Sequence, residues 1–203
     1  SGKLWMARST DFGRTWTPNR PFLDTPLDDR HAYTLQLESG DLLSFHWVQT
    51  VAFGLRGILN YTSRSNDGGL TWADPKRMRT GRYVGSPPDE PAIFGGFSLT
   101  VPPLQLGDGT LVAPVHCVPV GKKPPCEIGL LRSSDEGRTW GAYTTIATDA
   151  NRSISFVEPA LAAMPDGRWI VVSRTQVPVH PGTTHPYKLG PNMVCHSNDA
   201  GQT

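Results

Sequence analysis

Several features are missing from this sequence, and each absence narrows what the chain can be. Across its 203 residues the charges nearly balance, at a net charge of +1, so no electrostatic argument favours nucleic acid or an anionic membrane as a partner. No apolar run approaches the roughly 20 residues of a transmembrane helix. No long amphipathic helical stretch is present, and the histidines lack the spacing of a metal site. We therefore expect no membrane span in this chain, no metal ion and no cofactor.

One short pattern recurs along the chain, and each copy follows an apolar, β-rich run. Its form is Ser-x-Asp-x-Gly-x-Thr-Trp. Complete copies occupy residues 9–16, 65–72 and 133–140, and a fourth at 197–203 stops before its Trp. A repeat at this period is typical of a solenoid, a propeller or another array.

The residue types of this pattern predict a hairpin turn. An Asp side chain accepts hydrogen bonds from nearby backbone N–H groups, and Gly adopts positive φ without steric cost. The Trp is a large apolar group that can pack over the turn. Turn chemistry thus accounts for these residues, and we expect a structural role for Asp11, Asp67, Asp135, Asp199, Trp16, Trp72 and Trp140.

A second recurring pattern supports the first. An apolar residue, a polar pair with Gly and two apolar residues recur at 37–43, 106–112 and 164–170. An Asp-Gly or Ser-Gly pair between alternating apolar runs is a strong hairpin signal. The order within one unit is then strand, Gly turn, strand, longer loop, strand, Asp turn, strand. Such a four-stranded antiparallel meander is the blade of a β-propeller.

The Ser-x-Asp-x-Gly-x-Thr-Trp pattern resembles the Asp-box of the sialidase (neuraminidase) or BNR-repeat family, where it links the third and fourth strands at the blade periphery. The resemblance implies an all-β fold, a six-bladed β-propeller of sialidase type. This chain would cover roughly three to four of its four-stranded antiparallel blades. We divide it into a blade end at 1–26, blades at 27–85 and 86–148, and a partial blade at 149–203.

The segment around Glu158 and Arg174 is the sharpest candidate for chemistry. Glu158 lies at the start of a predicted inner strand and Arg174 at the end of the next, antiparallel strand. Both side chains should therefore come to the same end of the blade, near the propeller axis. The residues alone leave open whether the pair serves a polar ligand, forms a structural salt bridge or is simply solvated.

The segment also resembles the sialidase stretch in which a Glu opens a blade and an Arg closes the following strand. By that resemblance Glu158 would be the base that activates a tyrosine nucleophile, and Arg174 would grip the substrate carboxylate. Sialic acid carries a carboxylate at its anomeric carbon, so a neutral nucleophile avoids repulsion. The family's remaining catalytic positions would precede Ser1 or follow Thr203 in this register.

Arg30 belongs to a competing register. Residues 30–37 ahead of Ser39 and Gly40 are similar to the family segment that carries its first carboxylate-binding arginine. In that register Arg30 would bind the substrate. However, no Asp lies between Phe45 and Ser65 to serve as the acid/base. We therefore prefer Arg30 as a residue at the blade mouth without an assigned role.

Cys117 and Cys126 flank a loop between two predicted adjacent strands. They could face each other across the hairpin and form a disulfide if their Cα atoms are within range. Two buried thiols are an equal alternative, since the sequence does not identify the redox compartment.

The resemblance implies that the chain is a fragment of a sialidase-like exo-glycosidase that hydrolyses terminal sialic acid from glycoconjugates. Its partner would be a sialylated glycan or another carbohydrate. The alternatives are a non-catalytic BNR-repeat propeller that binds glycans or proteins, and a propeller glycosidase that acts on another sugar, because a fold does not determine function. The resemblance also favours a secreted, periplasmic or lysosomal location.

Overall fold

The computed structural model describes residues 2–52, 55–78, 97–117, 126–141, 143–151, 153–178 and 187–202. These residues form strands and turns without a helix, which confirms the all-β prediction. It follows that no helix in this part of the chain could cross a membrane.

Fifteen strands run through the described residues. In chain order they are β1 Leu4–Met6, β2 Arg20–Leu23, β3 Asp28–Gln36, β4 Leu42–Ala52, β5 Leu55–Ser65, β6 Lys76–Arg77, β7 Phe97–Leu99, β8 Leu104–Gln105, β9 Leu111–Cys117, β10 Glu127–Ser133, β11 Tyr143–Ala147, β12 Ser155–Ala163, β13 Trp169–Pro178, β14 Tyr187–Leu189 and β15 Met193–Ser197.

These strands form four antiparallel sheets. Strands β1 and β2 pair with each other, and β3 to β6 form a meander in chain order. In the third sheet β9 pairs with β10 on one side and with both β7 and β8 on the other, while β11 continues beyond β10. In the fourth sheet β13 pairs with β12 on one side and with both β14 and β15 on the other. Each sheet lies within one of the four segments defined above, and the division into blades remains our interpretation.

Two of the meanders contain a broken strand. Pro102 and Pro103 lie between β7 and β8, where a missing N–H prevents continuous pairing with β9. Gly190 and Pro191 lie between β14 and β15 in the same way. Each pair of short strands therefore occupies the place of one strand in a four-stranded meander.

The Gly turns between first and second strands share one geometry, as predicted. The Leu37 N–H donates to the Asp41 carbonyl at 2.8 Å, and the Gly40 N–H donates to the Leu37 carbonyl at 2.8 Å. Equivalent bonds close the turns at Leu106 and Met164. Gly40 has a φ of 89°, a conformation that a residue with a Cβ rarely adopts.

The core lies between successive sheets, and β9 contributes to it on both faces. Leu111 and Val115 join Phe45 of β4 in one buried cluster. The intervening Val112 packs with Trp169 of β13 in another. Alternate residues of a strand point to opposite faces, so a nearly continuous apolar run is expected where a sheet is covered on both sides. In this stack β9 of the third sheet lies beside β12 of the fourth.

Candidate functional site

The repeat turns, by which we mean the Ser-x-Asp-x-Gly segments at 9–16, 65–72 and 133–140, are closed by their own side chains. In the second turn Ser65 Oγ donates to Asp67 Oδ1 at 2.8 Å and accepts from the Gly69 N–H at 2.8 Å. The Asp67 carboxylate accepts from the Thr71 N–H at 2.9 Å and from Thr71 Oγ1 at 2.6 Å. Hydrogen bonds from Thr71 and Ser65 hold the pKa of Asp67 well below its usual range. The carboxylate is therefore engaged within the turn.

The other aspartates of the pattern are engaged in the same manner. Asp11 accepts from the N–H and hydroxyl of Thr15 at 2.9 and 2.6 Å, and Asp135 accepts from those of Thr139 at 2.8 and 2.6 Å. Asp199 accepts from Ser197 Oγ at 2.6 Å. These contacts support the structural role that the pattern predicts for the aspartates.

The tryptophans lie over the glycines of their turns. A Cβ atom added to the glycine would lie 3.6, 3.7 and 3.6 Å from the ring carbon Cζ2 of Trp16, Trp72 and Trp140 respectively. Their surroundings differ, because Trp16 is 62% exposed whereas Trp140 is 4% exposed. The same repeat position thus serves as a surface cover in one turn and as a core residue in another.

Glu158 of β12 and Arg174 of β13 meet at the same sheet end. Arg174 Nε donates to Glu158 Oε2 at 2.6 Å, and Nη2 donates to Oε1 at 2.7 Å. Two parallel bonds of this kind fix the relative orientation of the two planar groups. The Arg174 and Glu158 side chains are 32% and 49% exposed, so the pair is open to a ligand.

The charge state of Glu158 follows from this partner. The hydrogen bond from Arg174 lowers the pKa of Glu158, and it outweighs the opposing effect of partial burial. The same bond raises the pKa of Arg174. Both groups are therefore charged at neutral pH. An ionised carboxylate can accept a proton or stabilise positive charge, but it cannot donate a proton.

A β-bulge presents Glu158. The pairing of β12 with β13 skips Glu158 and Pro159, which lie opposite the single residue Ser173. Glu158 has a φ of 54°, which is uncommon for a residue other than glycine. A bulge of this kind redirects a side chain out of the regular alternation. The predicted positions within the strands were wrong for both residues. Glu158 does not begin β12, which starts at Ser155, and Arg174 does not end β13, which continues to Pro178.

The neighbouring sheet supports this bulge. The Glu158 N–H donates to His116 Nδ1 at 3.3 Å, and Thr100 Oγ1 donates to the Pro159 carbonyl at 3.4 Å. Burial lowers the pKa of His116 to about 4, so its ring is neutral at pH 7 and carries its proton on Nε2. His116 lies 42 positions from Glu158, and no local pattern in the sequence links the two.

Gln176 provides a further partner for Arg174. With its amide oxygen toward the guanidinium, Gln176 accepts from Arg174 Nη1 at 2.6 Å and from Nη2 at 3.1 Å. A guanidinium carries five N–H donors. Within the described residues two bonds go to Glu158 and two to Gln176. One Nη1 hydrogen has no partner there and is available to a ligand.

Arg30 lies on β3 and is already paired. Its Nη2 lies 2.6 Å from Asp28 Oδ2, with the Arg30 side chain 45% exposed. Its Cζ atom lies 5.8 Å from the Trp47 ring centroid. A ligand role for Arg30 therefore stays a prediction without a contact that supports it.

Three aromatic residues that the sequence patterns do not single out lie beside Arg30. The His31 ring stacks on Trp47, with centroids 4.8 Å apart and planes inclined by 14°. His31 Nδ1 lies 3.1 Å from Tyr33 Oη. Burial raises the pKa of Tyr33, and the Glu158 charge raises it further, so its hydroxyl stays protonated. We call His31, Tyr33 and Trp47 the aromatic shelf.

Cys117 and Cys126 are not joined by a disulfide in the described part of the chain. The register places Glu127, not Cys126, opposite Cys117, and Cys126 lies just before β10. Cys117 Sγ instead donates to Tyr143 Oη at 3.4 Å, and burial raises the pKa of Cys117 to about 12. The structure thus favours the thiol alternative for Cys117 over a disulfide across the hairpin.

Comparison with solved structures identifies the fold. No family model and no curated protein matches the chain. A protein of unknown function from Dyadobacter fermentans shares 23% identity at a TM-score of 0.68, over 98% of this chain and 56% of its own. A Hadza microbial sialidase shares 17% identity at a TM-score of 0.66, over 99% and 39%. The alpha-L-arabinanase of Penicillium chrysogenum, complexed with arabinobiose, shares 19% identity at a TM-score of 0.67, over 98% and 56%.

The fold is a sialidase-type β-propeller. Similar structures at identities this low show the fold alone. They confirm the predicted all-β propeller, whereas the number of blades stays a prediction. The chain spans 39–56% of the length of these three proteins. Activity and substrate are therefore considered separately from the fold.

Proposed function

We propose that this chain is part of a sialidase-like exo-glycosidase, and that Glu158 and Arg174 belong to its active site. The observation that carries the proposal is the doubly hydrogen-bonded Glu158–Arg174 pair, presented by a bulge and open to solvent. Non-glycine residues with positive φ often mark functional sites, because the strain persists only where the surroundings support it. The fold adds support, since sialidases and arabinan-degrading enzymes are among the similar structures.

In this proposal the substrate is a terminal sialic acid. Glu158 accepts the proton of a tyrosine hydroxyl as the tyrosine oxygen attacks the anomeric carbon. The bond to the leaving sugar breaks as a general acid protonates the leaving oxygen, and we assign that acid to no residue of this chain. Arg174 keeps Glu158 ionised and oriented, and its remaining Nη1 hydrogen is directed to the sialic acid carboxylate. Water then cleaves the tyrosyl intermediate, with overall retention of configuration. We assign the tyrosine to no residue of this chain.

A neutral terminal sugar is the second candidate substrate. Arg174 has one N–H that is not engaged by Glu158 or Gln176, which is a weak grip for a carboxylate compared with a free guanidinium. An arabinofuranosidase from Fusarium graminearum is also among the similar structures, with 17% identity and a TM-score of 0.66. A furanoside without a carboxylate would not require the free guanidinium.

Turnover by the intact protein tests the proposal. Fluorogenic α-sialosides and α-L-arabinofuranosides are assayed with the wild type, Glu158→Gln and Arg174→Ala. We expect Glu158→Gln to reduce kcat by about 100-fold or more, as is typical for loss of a catalytic base. Arg168→Ala is the matched control, because Arg168 is also paired with a nearby carboxylate, that of Asp166, but lies in the Gly turn before β13.

The outcomes separate the candidates. Turnover of the sialoside alone supports the first substrate, and turnover of the arabinofuranoside alone supports the second. Wild-type rates in both site variants would remove Glu158 and Arg174 from the active site. Sugar binding without turnover of either substrate would favour the non-catalytic binding protein instead.

A further inference from the structure

Strand β3 contains the same bulge as β12, at the same position along the strand. The pairing of β3 with β4 skips His31 and Ala32, which lie opposite the single residue His46. His31 has a φ of 48°, close to the 54° of Glu158. Each residue is the fourth of its strand, counted from Asp28 in β3 and from Ser155 in β12. The backbone bulge of β3 is thus repeated in β12.

The cross-strand partners are equivalent as well. The residue before the bulge pairs with Trp47 in one sheet and with Arg174 in the other. His31 stacks on Trp47, and Glu158 is hydrogen-bonded to Arg174. One backbone arrangement therefore presents an aromatic pair in the second sheet and an ion pair in the fourth.

The two bulges are within electrostatic reach of each other. The Glu158 charge raises the pKa of Tyr33, although burial is the larger cause. In turn His31 contributes to the lowered pKa of Glu158, in which the Arg174 hydrogen bond is the main cause. The sheets of a propeller surround a central channel, so equivalent positions on the first strands of two sheets face the same mouth.

The His31 ring is held in place but remains open on one side. Its inner face lies against Trp47, which is 8% exposed, whereas His31 itself is exposed. The protonated Tyr33 hydroxyl, 3.1 Å away, can donate to His31 Nδ1. That arrangement leaves the ring proton on Nε2. Within the described residues the outer face and Nε2 have no partner, so both can contact a ligand.

We propose that His31 contacts the sugar bound at Glu158 and helps to determine which sugar the site accepts. This inference rests on the proposed function. The flat outer face of the ring packs against the C–H groups of the terminal sugar ring, and Nε2 donates to one of its oxygens. The aromatic shelf and the Glu158–Arg174 pair thereby form two walls of one site, one aromatic and one ionic.

Sugar binding by the intact protein tests this role. Calorimetry with N-acetylneuraminic acid and with arabinobiose compares the wild type with His31→Asn and His31→Phe. Asn tolerates positive φ and removes the ring, whereas Phe keeps the stack on Trp47 and removes both ring nitrogens. We expect binding to weaken roughly tenfold in His31→Asn and about threefold in His31→Phe. His196→Ala is the control, because His196 is an exposed histidine on β15.

Kinetics and selectivity give a second readout that a structural role would not change. A contact to the bound sugar predicts that KM rises more than kcat falls in His31→Asn. It also predicts a changed ratio of affinities for the two sugars. Equal melting temperatures of variant and wild type verify the fold, and His31→Phe decides the matter if His31→Asn unfolds.

Failure of this inference is distinguishable from failure of the proposed function. If Glu158→Gln abolishes turnover while both His31 variants bind both sugars like the wild type, the role of His31 is wrong and the proposed function stands. If the wild type neither binds nor hydrolyses either sugar, the proposed function fails and the inference fails with it.

Discussion

The repeat turns and the strand bulges both recur along the chain, but different features are repeated in each. The repeat turns share both backbone and residues, since Ser65 and Ser133 make the same contacts to Asp67 and Asp135. The bulges of β3 and β12 share a backbone and a pairing register but differ in the residue they present. Repetition at the turns is visible in the sequence, and repetition at the bulges is not.

The two kinds of side chain differ in whether they hydrogen-bond to their own backbone. A turn side chain completes hydrogen bonds of its own backbone, so few residue types can replace it. A bulge side chain leaves the sheet and makes none of the ladder bonds. The residue type at a bulge can therefore vary with the ligand that binds at that end of the channel. We expect substitutions in the turns to change stability and substitutions at the bulges to change ligand binding.

The largest effect should come from the turn tryptophans. Trp140 is 4% exposed, so Trp140→Ala should lower the free energy of unfolding by about 3–5 kcal/mol through the cavity it leaves. Trp16 occupies the same repeat position but is 62% exposed, and Trp16→Ala should cost less than about 1 kcal/mol. Chemical denaturation measures both values. Equal losses in the free energy of unfolding would contradict this prediction. They would show that the position in the repeat, and not the burial of the Trp side chain, determines its contribution to stability.

A smaller effect is expected from a pair of glycines with the same backbone. Gly137 in a repeat turn and Gly109 in a Gly turn have φ values of 81° and 83°. A Cβ at Gly137 would lie 2.6 Å from Leu43 Cδ2, whereas a Cβ at Gly109 would meet nothing within 4 Å. Because Leu43 is buried, Gly137→Ala should cost roughly 2–3 kcal/mol and Gly109→Ala about 1 kcal/mol in thermal or denaturant unfolding. A larger loss at Gly109 would contradict the packing argument.

The smallest effect concerns the support of the Glu158 bulge. The pKa of His116 is about 4 in the folded chain against its ordinary 6.5. Between these values the unfolded chain binds more protons, so the stability that His116 contributes is complete above pH 6.5 and falls as the pH drops toward 4. Because one pKa unit corresponds to about 1.4 kcal/mol, we expect a loss of about 2 kcal/mol between pH 7 and pH 5.

The control for this prediction is His116→Gln, whose amide oxygen can still accept the Glu158 N–H but does not titrate. The charged groups that act on His116 are Glu158 and Arg174. Arg174 stays charged throughout, and the lowered pKa of Glu158 places its own loss of stability below its ordinary 4.5. The free energy of unfolding, measured by denaturation from pH 4 to 7, should therefore change less with pH in the variant. An unchanged slope would assign the pH dependence to other groups.

The candidate site was predictable only in part. Glu158 and Arg174 could be brought together from the sequence, because a single Gly turn between two antiparallel strands determines which residues lie side by side. The bulge was not predicted, although Pro159 within the strand is a signal for one, because a proline there fits an edge strand equally well. His116 and the aromatic shelf were missed because they lie on other sheets, and their distance along the chain carries no periodic signal.

By itself the sequence determined the turns, the order of strands within a sheet and the stacking of sheets into a propeller. Those features depend on local hydrogen bonds and on alternating apolar residues, which a short stretch of sequence specifies. The tertiary structure alone decided that Cys117 lies opposite Glu127, that His116 holds the Glu158 backbone and that His31 occupies the position equivalent to Glu158. These relations depend on register and on packing between sheets, which arise only when distant strands pair in three dimensions.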